Sequence, residues 1–257
     1  MTEPERIPCN PIRTDAEIQA FRRCCALTDE AYARAMARVR VGMTEIDVKA
    51  AFEESISALA AEQPAGTLLK LNFLIIESGE RTALLHGRAT ERVLSMGEFL
   101  TVDFGLNYNG CCSDFTRTSV LGVPDARQRD VYGTVLRAIR ESERSILPGM
   151  TGHEADAIAR KVIDQAGCGP NFCHALGHGF GDFSGRQSVY DGIALAEDVH
   201  GFVLAPGMVF TIEPGIYIDG YGGVRIEDTV LLTEQGVEPL FTYTKELQSI
   251  LETEETK

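Results

Sequence analysis

Positive charge, long apolar runs and paired cysteine motifs are all scarce in this sequence. Its 257 residues hold 24 Lys and Arg against 38 Asp and Glu, which gives a formal net charge of −14. A chain this acidic repels nucleic acid and anionic membrane surfaces, so neither is expected as a partner. There is no run of about 18 apolar residues, so no membrane-spanning helix is predicted.

The seven cysteines form no Cys-x-x-Cys motif, and their odd number does not suit a disulfide framework. Two adjacent pairs, Cys24-Cys25 and Cys111-Cys112, are typical of reduced thiols. The chain starts Met1-Thr2-Glu3-Pro4, which is not a secretion signal. We therefore expect a soluble cytoplasmic protein, and its 44% hydrophobic content is enough for one large core.

The segment 99–119, FLTVDFGLNYNGCCSDFTRTS, is predicted to be a β-hairpin. Apolar and polar residues alternate on both sides of Asn109-Gly110, the strongest short-range signal for a type I′ turn. A two-residue turn pairs Asp103 with Thr116 and places Asp114 diagonally from Asp103, on the same face of the sheet. Val102, Phe104 and Leu106 then face the core. Two carboxylates on a rigid hairpin suggest a metal platform, although a solvated polar face is the commoner explanation for one hairpin alone.

The helices and strands around the hairpin form an internal repeat. Four capping boxes, which begin at Thr14, Thr44, Asp125 and Thr151, predict helices that end near Gly42, Gln63, Leu147 and Gly167. Strands are predicted at 72–78, 208–217 and 222–232. The phrase Gly-Met-Thr at 42–44 recurs at 149–151, and the strand around Asp103 recurs around Glu213. Two helices followed by an acid-bearing strand pair therefore occur twice, and the two halves should pack as a pseudo-symmetric pair with their acids where the halves meet.

We expect an N-terminal arm over residues 1–13, a single catalytic domain over 14–246 and an acidic C-terminal tail over 247–257. The candidate metal ligands of that domain are Asp103, Asp114, His178, Glu213 and Glu227. Each has an ordinary structural explanation when taken alone. Four buried carboxylates, however, need a balancing charge, and two divalent cations supply it.

Several phrases resemble the signature blocks of the M24 metallopeptidases, in particular the aminopeptidase P and prolidase branch. They are VDFGLNYNGCCSDFTRT, HALGHGFG, GMVFTIEPGIYI and GGVRIEDTVLLT. The resemblance covers roughly residues 10–245. It implies an α+β "pita-bread" fold, in which a curved, mostly antiparallel sheet is backed by two helix pairs and holds two metals in its hollow. It also implies that the four acids and one histidine named above are the ligands, with Asp114 and Glu227 touching both metals.

The resemblance assigns roles to further residues. Glu213 matches the proton shuttle, and His86 and His174 match histidines that bind the substrate carbonyl and the oxyanion. Arg225 and Thr116 resemble residues that hold ligand carboxylates in place. An oxygen-rich site with one imidazole suits Mn²⁺, Fe²⁺, Co²⁺ or Zn²⁺. Two such ions generate a bridging hydroxide at neutral pH, which would attack a peptide or amide carbonyl.

The sequence departs from the family after His178. The family pattern has another histidine seven residues further on, where this chain has Gly185, and the stretch up to Glu213 is longer than expected. Either His200 swings back into the site as a substrate-binding residue, or the pocket has lost that group and, with Arg186 nearby, takes a different and anionic substrate. We favour the second explanation, because long active-site loops are where substrate choice changes on a fixed scaffold.

The leading interpretation is a dinuclear metal-dependent hydrolase of the Xaa-Pro aminopeptidase or dipeptidase type, acting on a small peptide or amide. A hydrolase of a non-peptide metabolite is the alternative that keeps the metals. A non-catalytic binding protein on the same fold is the alternative without them, and the presence of all five ligands argues against it. A homodimer is compatible with the resemblance.

Overall fold

A computed structural model describes residues 12–180, 194–197 and 202–251. The sequence predicts each helix start correctly, because Thr14, Thr44, Asp125 and Thr151 all form capping boxes with the residue three positions on. The helices are α1 Asp15–Met36, α2 Glu45–Ala61, α3 Ala126–Ser145 and α4 Gly152–Gln165. No helix of the described ranges is long and apolar enough to cross a membrane.

The strands build one large sheet and two short ladders. In chain order they are β1 Leu69–Ser78, β2 Phe99–Tyr108, β3 Cys111–Cys112, β4 Phe115–Leu121, β5 Gly177–His178, β6 Ala194–Leu195, β7 Val209–Ile212, β8 Gly215–Ile218, β9 Gly222–Arg225, β10 Glu227–Thr233, β11 Gly236–Pro239 and β12 Gln248–Ile250. The main sheet runs β1-β2-β4-β10-β11, with β3 on β2, β7 on β10 and β12 on β4, while β5-β6 and β8-β9 form the ladders. Its pairings are antiparallel except for β12 with β4, so the predicted α+β class with a mostly antiparallel sheet is confirmed.

The central hairpin has the register that the Asn-Gly turn predicts. Tyr108 pairs with Cys111, and Asp103 pairs with Thr116. Asn109 and Gly110 have φ values of 52° and 93°, the two left-handed positions that a type I′ turn requires. One detail differs from the prediction: Asp114 lies in the break between β3 and β4 rather than inside a strand.

The two halves repeat the same hydrogen bonds, as the sequence repeat predicts. In the first half, the Gly42 N–H donates to Leu94 O and the Leu94 N–H donates to Met43 O. In the second half the equivalent groups bond in the same way, Gly149 N–H to Leu204 O and Leu204 N–H to Met150 O. The helix pair α1–α2 packs on β1 and β2, and α3, paired with α4, packs on β7 and β11. There are two apolar cores, and each is built mainly from one half.

Several boundaries differ from the sequence prediction. Helix α1 ends at Met36 rather than near Gly42, and β1 begins at Leu69 rather than at residue 72. The strand predicted at 208–217 breaks at Glu213-Pro214, where proline has no N–H to donate. The strand predicted at 222–232 breaks at Ile226. Residues 248–250, assigned to an acidic tail, form β12 beside Ser119–Leu121, so the sheet extends past 246. Strand β12 is held by main-chain pairing. Its sequence shows no apolar alternation, because Gln248 and Ser249 remain exposed.

Candidate metal centre

The five candidate ligands lie where the two halves meet. Asp103 is on β2, Asp114 precedes β4, His178 ends β5, Glu213 follows β7 and Glu227 begins β10. Thr116 on β4 lies between two of these residues, since it pairs with Asp103 on one side and with Glu227 on the other. Directly opposed residues share one face of a sheet, so both carboxylates point into the same hollow.

The donor atoms of these side chains converge. Asp114, His178 and Glu227 each offer one donor atom within 4.8 Å of the others. His178 Nε2 lies 3.6 Å from Asp114 Oδ2 and 3.4 Å from Glu213 Oε1. The structure therefore brings four of the five candidates close together. Asp103 lies near enough for its charge to raise the pKa of Asp114.

Arg225 joins three groups of this centre. It donates to Asp103 Oδ2 at 2.7 Å, to Thr116 Oγ1 at 3.2 Å and to the Tyr217 hydroxyl at 3.0 Å. Thr116 in turn orients Glu227, because its hydroxyl donates to Glu227 Oε2 at 2.6 Å. One planar guanidinium thus orients one carboxylate directly and a second through a hydroxyl.

Two further threonines fix the remaining acids. Thr211 Oγ1 donates to Glu213 Oε1 at 3.1 Å and accepts the His178 N–H at 3.0 Å. Thr229 Oγ1 accepts the Asp114 N–H and donates to Asp114 O. The main chain of β5 comes very close to β7 here, since a Cβ on Gly177 would lie 1.9 Å from Thr211 O. The alternation of the sequence puts Thr211 on the face of Glu213 and Thr229 on the face of Glu227, but it does not predict these hydrogen bonds.

Burial and mutual repulsion disfavour the charged forms of these acids. Burial raises the pKa of Asp114 well above its usual range, and the charges of Asp103 and Glu213 raise it further. Burial is also the first cause of the raised pKa of Glu227, and the neighbouring carboxylates add to it. Glu213 has a raised pKa for the same first reason, which His178 partly offsets. A divalent cation reverses this balance.

The donor set fits such a cation. Asp103 Oδ1 is buried and has no hydrogen-bond partner among the described residues, so one lone-pair face of a buried carboxylate is left for a ligand. Carboxylate oxygens with one imidazole are the donors that suit Mn²⁺, Fe²⁺, Co²⁺ or Zn²⁺. The described part of the chain therefore contains a group that could hold metal.

His174 is held inside the protein by both ring nitrogens. Nδ1 lies 2.8 Å from Ala175 O, and Nε2 lies 2.8 Å from the Tyr217 hydroxyl. A carbonyl oxygen only accepts, so Nδ1 carries the proton and Nε2 accepts from Tyr217, whose oxygen in turn accepts from Arg225. Burial lowers the pKa of His174 to about 4, so the ring is neutral at pH 7. Tyr217 is a site residue that the sequence analysis did not identify.

Helix α4 holds the segment that carries His174. Asp156, which is fully buried, accepts the Leu176 N–H at 2.9 Å. Arg160 pairs with Asp156 and donates to His174 O at 2.7 Å and to Phe172 O at 3.0 Å. The main chain before His178 is thus fixed by a partly buried ion pair on a helix.

The remaining candidates lie at the edge of the centre or beyond it. His86 is exposed on the loop between β1 and β2, close enough for its charge to act on His174. Gly185, Arg186 and His200, on which the choice between the two substrate explanations depends, lie outside the described residues. That part of the sequence analysis stays a prediction.

Known proteins resemble the chain over most of its length. The model of metallopeptidase family M24 matches residues 19–234. A curated Xaa-Pro dipeptidase of Pyrococcus furiosus is 41% identical over 239 residues, which are 92% of this chain and 64% of the relative. A solved X-Pro aminopeptidase of Thermotoga maritima has a TM-score of 0.84 at 33% identity, covering 93% of this chain and 64% of the other. A solved prolidase of Pyrococcus horikoshii has a TM-score of 0.83 at 38% identity, covering 92% and 65%.

The chain thus spans less than two thirds of the length of these relatives. Within that span, the solved structures share its α+β arrangement of a mostly antiparallel sheet and two helix pairs, and the predicted pita-bread fold is confirmed. A family model that matches most of the chain, together with a relative above 40% identity, leaves no other family to consider. The chain belongs to metallopeptidase family M24.

Proposed function

We propose that the chain is a hydrolase that uses two divalent metal ions to cleave a peptide or amide bond, of the Xaa-Pro aminopeptidase or dipeptidase type. The observation that carries the proposal is the convergence of Asp114, His178 and Glu227 with Glu213 beside them. Buried acids packed this closely oppose folding unless a cation neutralises them. The family membership supports the same reading.

The two ions would be held by Asp103, Asp114, His178, Glu213 and Glu227. When bound, the ions supply Lewis acidity toward a carbonyl and lower the pKa of bound water. Arg225 and Thr116 keep the Asp103 and Glu227 carboxylates in the orientation that such binding needs. Manganese is the metal we would test first, with cobalt, iron and zinc as comparisons.

Glu213 would move the proton. Its carboxylate borders His178 at 3.4 Å and is oriented by Thr211 at 3.1 Å. It would take a proton from the attacking water and return it to the leaving nitrogen, a transfer that needs a carboxylate at the face of attack. His86, which is exposed and close enough for its charge to act on His174, would donate to the substrate carbonyl or oxyanion. His174 would contribute through the Tyr217 hydroxyl that it holds.

Two observations bear on which substrate of this class the chain takes. Relatives are named Xaa-Pro dipeptidase and prolidase, which supports a small peptide. Against this, Gly185 stands where the family pattern has a histidine, which favours a different and anionic substrate. We therefore expect slow turnover of ordinary Xaa-Pro dipeptides and little effect of His200→Ala.

Metal analysis tests the centre. We expect elemental analysis of metal-loaded protein to give about two divalent ions per chain, because four largely buried acids need that charge. Asp114→Ala and Glu227→Ala should each lose both ions and all hydrolysis. Full activity in either variant would rule the dinuclear centre out, and a metal-free wild type would favour a non-catalytic binding protein.

A substrate panel tests the reaction. It should contain Xaa-Pro dipeptides, other short peptides and anionic non-peptide amides, assayed with each of the four metals. Metal-dependent cleavage of any member supports the proposal, and preference for the non-peptide amides supports the alternative substrate class. Vigorous Xaa-Pro turnover that collapses in His200→Ala would show that the lengthened loop returns a histidine to the site.

A further inference from the structure

Glu77 is a fully buried acid that the proposed chemistry does not use. It lies near the end of β1, pairs with Thr101 on β2, and follows Ile75, which pairs with Asp103. Residues that pair across a sheet share a face, so Glu77 lies on the same face as the candidate ligands, diagonally from Asp103.

The Glu77 carboxylate contacts the loop that carries His86. Its Oε1 accepts the Gly87 N–H at 2.5 Å. The approach is so close that a Cβ on Gly87 would lie 2.3 Å from the same oxygen. The other oxygen, Oε2, is buried with no hydrogen-bond partner among the described residues. The amide held by this buried acid is thus the one directly after His86.

A second buried acid, Glu45, fixes the two ends of the same loop. Its carboxylate accepts the N–H and hydroxyl of Ser78 at one end and the N–H and hydroxyl of Thr90 at the other. Arg81 adds a bond inside the loop, to Arg88 O at 2.7 Å. Glu45 therefore closes the loop, while Glu77 holds its middle, next to the exposed imidazole.

The loop rests on the hairpin that carries the site residues Tyr217 and Arg225. The Gly223 N–H donates to Thr82 Oγ1 at 2.7 Å, and a Cβ on Gly222 would lie 2.9 Å from Gly79 O. The loop base is therefore fixed relative to the candidate metal centre. The position of His86 therefore depends on the course of the main chain after Leu84.

We propose that Glu77 is a positioning residue, which places His86 at the candidate metal centre by accepting the Gly87 N–H. The catalytic part of this inference rests on the proposed function, whereas the contact itself does not. Losing the acceptor leaves a partly buried N–H unsatisfied and lets the chain beside His86 shift. A displacement of about 1 Å can cost as much as 10²-fold in rate.

Two substitutions of Glu77 separate the loss of the hydrogen-bond acceptor from the loss of the charge, and a third substitution is the control. Glu77→Gln keeps an oxygen for the Gly87 N–H but removes the charge, and Glu77→Leu removes both. Glu80→Gln is the matched control, because it removes an exposed acid from the same loop. With the best substrate of the panel, we expect Glu77→Gln and Glu80→Gln to stay within about threefold of wild type, and Glu77→Leu to lose roughly tenfold or more in kcat with a smaller change in KM.

A double-mutant cycle with His86→Ala tests whether Glu77 acts through His86. His86→Ala alone should keep its metal and lose on the order of 10²-fold in kcat. Adding Glu77→Leu to it should then change kcat by no more than about twofold. The proposal is wrong if Glu77→Leu slows His86→Ala by the same factor as wild type, or if Glu77→Gln is as slow as Glu77→Leu.

Imidazole NMR decides the contact without any turnover. The chain has five histidines, so the His86 ring signals can be assigned by their loss in His86→Ala. They should move in Glu77→Leu and stay in Glu80→Gln, with the His153 signals as an internal reference. Unmoved His86 signals would overturn the proposal. If Glu77→Leu does not fold, the Gly87 amide of wild type decides: an amide that exchanges freely with solvent contradicts the contact. Absence of hydrolysis would reject the proposed function alone.

Discussion

Arg225 orients several groups of the candidate metal centre with one side chain. Its three donors contact Asp103, Thr116 and Tyr217, and through the last two it reaches Glu227 and His174. The ammonium group of a lysine cannot reproduce these three contacts, since it is a point charge on a flexible stem. The sequence places Arg225 on the face of Glu227, but its bond to Asp103 crosses between the halves and could be seen only in three dimensions.

Arg225→Lys should therefore weaken metal binding while it keeps the charge. We expect a loss of about 10- to 100-fold in metal affinity, the usual effect of removing a group that orients ligands. Competition with a chromophoric chelator measures it. Arg127→Lys is the control, because Arg127 is exposed and stacks on Tyr221 outside the centre. Unchanged affinity in Arg225→Lys would mean that Thr116 and the sheet hold the carboxylates unaided.

Glu77 should also leave a signature in the pH dependence of stability. Burial raises its pKa from 4.5 to about 7, so between these values the folded state binds more protons than the unfolded chain. The free energy of unfolding then falls as the pH rises through this window, by up to about 3 kcal/mol at pH 8. Glu77→Gln has no such proton to lose.

The measurement is urea unfolding of metal-free wild type and Glu77→Gln at several values from pH 5 to pH 8. The stability of Glu77→Gln relative to wild type should rise across the series. Other buried acids titrate in both proteins and cancel in the difference. Parallel curves would show that Glu77 is already ionised at the lower end of the window.

At the scale of elements, local sequence signals predicted most of the fold. All four capping boxes and the Asn109-Gly110 turn form as expected, because each satisfies its own backbone groups within a few residues. The breaks at Glu213-Pro214 and Ile226 were missed, since apolar residues continue across them. Strand β12 was missed because it is held by main-chain pairing and its exposed side chains show no apolar pattern.

The turn gives a prediction at this scale. Gly110 has a φ of 93°, a conformation in which a side chain costs about 1–2 kcal/mol. Gly110→Ala should lower the free energy of unfolding by about that amount without changing metal affinity. Gly133→Ala is the matched control: Gly133 lies inside α3, where a Cβ would meet only the end of Arg137 at 3.7 Å. It should be stabilising by roughly 0.5–1 kcal/mol. Equal effects of the two substitutions would contradict this account of the turn.

At the scale of the whole molecule, the two halves meet through β4 and β10. Glu227 pairs with Thr116 and Asp228 with Phe115. A buried ion pair, Arg117 with Asp228 at 2.7 Å, lies beside this contact, and Arg117 also donates to Glu227 O. The internal repeat made such a junction predictable, but the ion pair was not, because nothing in the local pattern distinguishes Asp228 from a solvated acid.

The candidate ligands are divided between the halves, so bound metal should stabilise their junction. Asp103 and Asp114 come from the first half, and His178, Glu213 and Glu227 come from the second. A ligand that binds only the folded state adds stability by mass action, about 2.7 kcal/mol at one hundred times its dissociation constant. For a chain of this length, that corresponds to a rise in Tm of roughly 5–10 °C.

We therefore expect chelation by EDTA to lower the Tm of metal-loaded protein by this amount and added Mn²⁺ to restore it. Asp114→Asn and Glu227→Gln, one from each half, should both lose the response to Mn²⁺, and Glu80→Gln should keep it. Differential scanning fluorimetry over a range of Mn²⁺ concentrations measures the effect. A full Mn²⁺ response in Asp114→Asn would place the stabilising ion within one half, and the junction would then be held by the β4–β10 pairing and the Arg117–Asp228 ion pair alone.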